Sequence, residues 1–246
     1  MDRRSFLKAS LALPAFASAA RALAFGDASR LVFAQLRHGG TFQPREHALR
    51  HLCFELESRT SLQVDPQPVL LAADDPLLFY HPFAYLAGEG AFPPLTDREA
   101  HALRRFLIYG GFLLCDSADG GPAFDGALRR EIARVLPEAP FARVPYEHVL
   151  YKTFYLLDHQ GGRQLVKPFL EAAQVGNRLA VVYSQNDLGG AWARDDRGEW
   201  EYEVVPGGDA QRETAFRLGV NLAMYATCLD YKDDQVHLPI IMRRRQ

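Results

Sequence analysis

Cysteine is scarce in this 246-residue sequence: there are three, Cys53, Cys115 and Cys228, and none forms a Cys-x-x-Cys pair. Each lies in an apolar stretch, as a small buried hydrophobe does. That excludes a zinc ribbon or a disulfide framework, although one pair could bridge in an oxidising compartment. Charge of one sign is equally scarce. Lys and Arg number 28 against 30 Asp and Glu, a formal net charge of −2. Phosphate binding needs a surplus of positive charge, so no nucleic-acid partner is expected. Internal repeats and low-complexity tracts are absent. So are the Walker and dinucleotide fingerprints, which leaves no nucleotide or flavin cofactor signalled.

What the chain does carry starts near its first residue. Asp2-Arg3-Arg4-Ser5-Phe6-Leu7-Lys8 precedes a modest apolar run, Leu11 to Ala20, and then Ala22-Leu23-Ala24 at the spacing of a cleavage site. Arg3, Arg4, Phe6 and Leu7 make the pattern of a twin-arginine export signal. Residues 1–24 are therefore expected to be a signal peptide, and the protein to be periplasmic. The apolar run is short, alanine-rich and broken by Pro14, so it does not read as a membrane span. The mature chain of about 220 residues is enough for one domain with a sizeable core. Its net charge is about −5, because the leader removes Arg3, Arg4, Lys8 and Arg21 against Asp2. We expect one domain over 25–230 and an extension over 231–246 that ends in Arg243-Arg244-Arg245. Three charges hold a protein on a membrane only weakly.

Short apolar runs alternate with helical patterns. Leu31–Leu36, Val69–Ala72, Phe83–Ala87, Phe112–Cys115 and Leu179–Tyr183 read as strands. Glu46–Arg59, the segment after Thr96, Phe124–Leu136 and Gln211–Leu229 read as helices. Thr96 with Glu99 three residues later is a capping box, and Leu103, Phe106 and Leu107 form the stripe behind it. Residues 190–210 are polar and contain Gly and Pro, which predicts a surface loop or hairpin. Tyr146, His148, Tyr151, Phe154 and Tyr155 predict an aromatic excursion packed onto the sheet. The order of elements predicts a three-layer α/β fold around a doubly wound, mainly parallel sheet.

Several short motifs come in a particular order: Leu36 to Gly40, Asp74-Asp75-Pro76, Gly88-Glu89-Gly90-Ala91-Phe92, Gly110-Gly111-Phe112, Leu128-Arg129-Arg130-Glu131, Tyr183 to Gly189, and Leu218-Gly219-Val220-Asn221. In this set the chain resembles the bacterial domain of unknown function 4159, over about residues 30 to 230. The resemblance implies a flavodoxin-like or class I glutamine amidotransferase-like fold. It also implies a cell-envelope protein as partner, since members accompany envelope proteins with von Willebrand A-type domains. It implies no particular reaction. The chain departs from the family's pattern after strand four, where members carry an acidic pair and this one reads Cys115-Asp116-Ser117.

In an open α/β sheet, ligands bind beyond the carboxyl ends of the strands. His38, Asp74, Asp75, Glu89, Asp116, Asp119, Asn186 and Asp187 all follow predicted strands. Together they make a candidate ligand-binding edge that could hold a divalent metal ion or tune a carboxyl group for acid/base work. Singly, each is also what a helix cap or an Asx turn uses. Cys115 and Asp116 are the positional candidates for catalysis. A nucleophile elbow, however, needs glycines flanking the cysteine, and here they are displaced to Gly120-Gly121. Asp116 would also raise the thiol pKa. Ser184 lacks a Gly-x-Ser-x-Gly setting. His47 and His51 sit four apart with no Glu-x-x-His, and read as a solvated helix face. These observations lead to a non-catalytic binding or assembly module in the cell envelope. The alternative is an envelope hydrolase or amidotransferase-like enzyme built on the carboxylate edge.

Overall fold

The computed structural model describes residues 30–243, with side chains described through Thr227. The predicted signal peptide, Cys228 and the terminal arginines lie outside the described residues or side chains. Seven strands form one sheet: β1 (Ala34–Arg37), β2 (Val69–Ala72), β3 (Phe83–Gly88), β4 (Phe112–Ser117), β5 (Ala142–Arg143), β6 (Glu171–Val175) and β7 (Arg178–Ser184). Their spatial order is β2-β1-β3-β4-β7-β6-β5. The first five in that order are parallel, and β6 and β5 continue the sheet antiparallel. The parallel part, 2-1-3-4 followed by a fifth strand, has flavodoxin-like order, with its topological switch between β1 and β3.

The helices are α1 (Ala48–Arg59), α2 (Asp97–Ile108), α3 (Pro122–Val135), α4 (Leu188–Trp192) and α5 (Gly208–Arg243). Strand residues alternate between two cores, as a pleated sheet covered on both faces requires. Phe83, Tyr85, Phe112 and Leu114 face a core shared with α1, α4 and α5, which includes Trp192, Phe216 and Leu222. Ala84, Leu86, Leu113 and Cys115 face the second core, with Leu103, Phe106 and Leu107 of α2 and Phe124, Leu128 and Ile132 of α3. This is the predicted three-layer arrangement.

The capping box forms as read. Thr96 Oγ1 accepts from the Glu99 N–H at 3.2 Å, and Glu99 Oε2 accepts from the Thr96 N–H at 2.8 Å. Replacing Thr96 with alanine should cost about 1 kcal/mol, measured by denaturant melts; no loss would mean that packing alone starts α2.

Three features depart from expectation. The first strand is shorter than read, and Leu31 instead makes an isolated bridge to Val64. The final helix runs to Arg243 rather than stopping near Leu229. The Leu179–Tyr183 run forms β7 as predicted, but its hairpin partner β6 is not signalled by its own residue pattern. Glu171, Ala172, Ala173 and Gln174 are helix formers and mask the strand, yet the two-residue turn Gly176-Asn177, with Gly176 at φ 59°, is a hairpin signal. The aromatic excursion packs in part: Tyr151 is buried in the first core and Tyr146 and Tyr155 pack against it, while Phe154 is 43 % exposed. Of the predicted surface loop or hairpin over 190–210, only the turn closed by the Arg194↔Trp200 bridge forms as read: residues 190–192 end the buried helix α4 and 208–210 begin α5.

Candidate functional site

The carboxyl ends of β3, β4 and β7 converge on Asp116. It is the penultimate residue of β4 and is 1 % exposed. Tyr85 Oη donates to Oδ2 at 2.9 Å, the Gly189 N–H donates to Oδ2 at 2.8 Å, and the Leu188 N–H donates to Oδ1 at 3.0 Å. Burial, and next the Asp187 charge, push its pKa up to about 7 against these three donors. A carboxyl group so placed can hold a proton at neutral pH. The same environment, burial first and then Asp116, raises Tyr85 well above its ordinary value.

Asp187 lies beside it, fully buried, on a left-handed backbone with φ 53° and ψ 63°. That conformation is tolerated by Asp because its short side chain bonds locally; here Oδ1 accepts from the Gly190 N–H at 2.9 Å. Two guanidiniums close on the remaining lone pairs. Arg45 Nη2 donates to Oδ2 at 2.9 Å, and Arg163 Nε donates to the same oxygen. Both arginines also reach the Ala118 carbonyl, at 3.1 and 3.4 Å. Burial works against the Arg45 charge, but the Asp187 carboxylate outweighs it and raises its pKa. The Arg45 guanidinium further stacks 4.2 Å over the Tyr202 ring. The result is a closed latch joining the 41–47 loop, the end of β4, residue 163 and the start of α4.

Arg45, Arg163 and Tyr85 were not singled out in the sequence. Arg163 had a local sign in Gly161-Gly162. A Cβ at Gly161 would lie 2.2 Å from the Ala215 nitrogen, and Gly162 takes φ 149° with a Cβ position 2.2 Å from the Asn186 carbonyl oxygen. Only glycine lets the backbones approach so closely there.

At the topological switch, His38 Nε2 donates to the Ala87 carbonyl at 2.9 Å while Nδ1 accepts from the Gly40 N–H at 3.1 Å. Both nitrogens are satisfied by a neutral ring, and burial lowers its pKa. The ring lies 4.4 Å from that of Phe92, and Phe124 packs on Phe92 at 5.6 Å. The crevice where an open sheet would take a ligand is thus filled with the protein's own aromatics. A shallower cleft of about 420 Å³ flanks it, lined by Arg37, His38, Phe42, Ala72, Pro93 and Glu99.

The other candidates are spread along the edge. Asp74 pairs with Arg98 at 2.9 Å. Asp75 caps the 3₁₀ turn Pro76–Tyr80 through the Leu77 N–H at 2.9 Å. Asp119 accepts from the Gly121 N–H, Ser117 Oγ and the Gly90 N–H at 2.8, 3.0 and 3.1 Å. Partial burial raises its pKa, but these donors outweigh it and the net shift is downward. Asn186 exchanges two hydrogen bonds with the Lys167 backbone, both at 2.8 Å. Glu89 is exposed and makes no ion pair among the described residues. Ser184 is buried and accepts from the Asn186 N–H at 3.2 Å. Cys115 is wholly buried, and burial first, then Asp116, pushes its thiol well above the ordinary range. His47 bonds Glu201 rather than facing solvent alone, and His51 is half-buried. Among the described residues, no three His, Cys, Asp or Glu side chains are grouped to hold a metal ion. No described helix is long and apolar enough to cross a membrane.

A search of the curated proteins finds no match to this chain. A family model does match, the Domain of unknown function (DUF4159), over residues 32–227. That span runs from the strand before the His38 turn to the part of α5 that packs on the first core, and includes every residue of the latch. The chain belongs to the DUF4159 family.

Proposed function

We propose that this protein is a non-catalytic binding or assembly module of a bacterial cell-envelope system, carried to the periplasm by the twin-arginine route. The observation that carries the reading is the commitment of the strand-end carboxylates to internal partners. Asp116 and Asp187 are buried and fully hydrogen-bonded, while Asp74, Asp75 and Asp119 serve an ion pair and two caps. Groups used in this way position loops. A catalytic carboxylate needs a face open to substrate. The Arg3-Arg4 motif and the small residues before Phe25 support the export step.

The test starts from a strain lacking the gene. Complementation with the wild-type chain and with Glu89→Gln should restore the same envelope phenotype, because this exposed strand-end carboxylate, which has no ion-pair partner among the described residues, does no chemistry. Cross-linking in the periplasm should join the chain to an envelope protein, and Arg3→Lys with Arg4→Lys should keep it in the cytoplasm. Loss of complementation by Glu89→Gln would overturn the module. So would envelope complexes of unchanged composition in the deletion strain.

A further inference from the structure

We propose that the pocket between α1, α5 and the 194–200 turn binds a small oxyanion, a carboxylate or phosphate group held by Arg194 and Arg212 beside Trp200. This site is remote in role from the Asp187 latch and does not rest on the module reading.

The pocket has a volume of about 290 Å³, the size for a small acid rather than a polymer. Trp200 and Phe216 supply its aromatic wall, with ring centroids 6.0 Å apart. Three arginines line it, and they differ in what they already hold. Arg59 is spent: it donates to both Glu213 oxygens at 2.8 and 2.9 Å and to Glu55 at 2.5 Å. Arg217 adds a further bond to Glu213 at 2.8 Å. Arg212 and Arg194 have no carboxylate in hydrogen-bond contact. Arg212 is 5 % exposed, and its two terminal nitrogens donate to the carbonyls of Ala191 and Tyr202 at 2.8 and 2.7 Å. Its Nε, and that of Arg194, are buried with no hydrogen-bond partner. A guanidinium carries five N–H donors, and neutral carbonyls use only part of that capacity.

Charge accounting points the same way. Glu55 and Glu213 are matched by Arg59 and Arg217, which leaves Arg194 and Arg212 against the exposed Asp209. The surplus is felt by neighbours. Burial lowers the Arg212 pKa, Asp209 opposes, and Arg194 lowers it further. His51 is lowered by burial and then by Arg194 and Arg50, against Glu55. Both guanidiniums lie over the Trp200 ring, at 3.6 and 4.0 Å from its centroid. Stacking fixes their planes and leaves the terminal N–H groups of Arg194 available. An oxyanion is the ligand that matches this surplus charge and accepts from the terminal N–H groups of Arg194, which hold no partner among the described residues.

Trp200 is also the reporter. It is 36 % exposed, whereas Trp192 is fully buried with its N–H donated to Ala215. The purified full chain is titrated with sodium phosphate and, separately, with sodium acetate, against sodium chloride at equal ionic strength. Indole fluorescence should change saturably in at least one arm, and Trp200→Phe should abolish the change. Phosphate alone, or acetate alone, identifies the class of group bound. Arg194→Gln should raise the half-saturation concentration about tenfold, the loss of one charge-assisted pair. Arg194→Lys keeps the charge but not the fork. It should be several-fold weaker than wild type, and it carries the test alone if circular dichroism shows the glutamine variant unfolded. No saturation beyond chloride in either arm overturns the site, as does wild-type titration by a folded Arg194 variant.

Discussion

Replacing Asp187 with alanine should lower the melting temperature by about 10 °C. The side chain is fully buried and receives two guanidiniums and a backbone N–H. Removing it strands two cations whose side chains are only 11 % and 25 % exposed. Breaking a buried pair from one side costs about 3–5 kcal/mol, and a domain of this size moves about 2–4 °C per kcal/mol. Alanine also suits the left-handed backbone poorly. Asp187→Asn keeps the cap and tolerates that backbone while losing the charge, so it should fall between alanine and wild type. Calorimetry of the three proteins decides the matter. An alanine variant melting within a degree or two of wild type would mean that the arginines find other acceptors and the latch is not what holds these loops.

The second large effect is on the pH dependence of stability, and it runs opposite to that of an ordinary paired carboxylate. Asp116 has an unfolded value near 3.8 and a folded value of about 7. The native state therefore binds its proton more tightly. The favourable contribution is fully present below about pH 4 and is lost as pH rises through 7. Three units correspond to at most about 4 kcal/mol. Other groups titrate nearby, His38 among them with a lowered pKa, so the comparison is with Asp116→Asn, whose side chain is neutral at every pH. Wild type should hold its greatest advantage over the variant at pH 4, and the advantage should shrink steadily to pH 8. A difference independent of pH would show that Asp116 is ionised throughout.

Much of the fold was legible because it rests on local pattern. The continuous apolar run Phe112–Cys115 belongs to a strand covered on both faces, and Thr96 with Glu99 starts α2 where the capping box says. The hairpin was hidden because β6 is made of helix-forming residues whose strand geometry comes from pairing with β7. The site was legible only in half. Asp116 and Asp187 could be placed at strand ends, and they do meet. What they do depends on Tyr85, Arg45 and Arg163, which stand 31, 142 and 24 positions from their partners. No spacing rule reaches across such separations. An aspartate in a βα loop looks alike whether a backbone N–H, a guanidinium or a ligand will meet it.

The two ends of the sheet are unequal, which bears on how copies of the protein can associate. At one end β2 presents four residues with no strand beyond it among the described residues, and Leu70 there is 43 % exposed. At the other end β5 is a two-residue stub. An exposed strand edge is a template for another chain, but endless growth needs two complementary edges, one at each end. This sheet offers one. Copies meeting edge to edge would pair β2 with β2 about a two-fold axis and stop at two, because the two-residue β5 is too short to template a further copy.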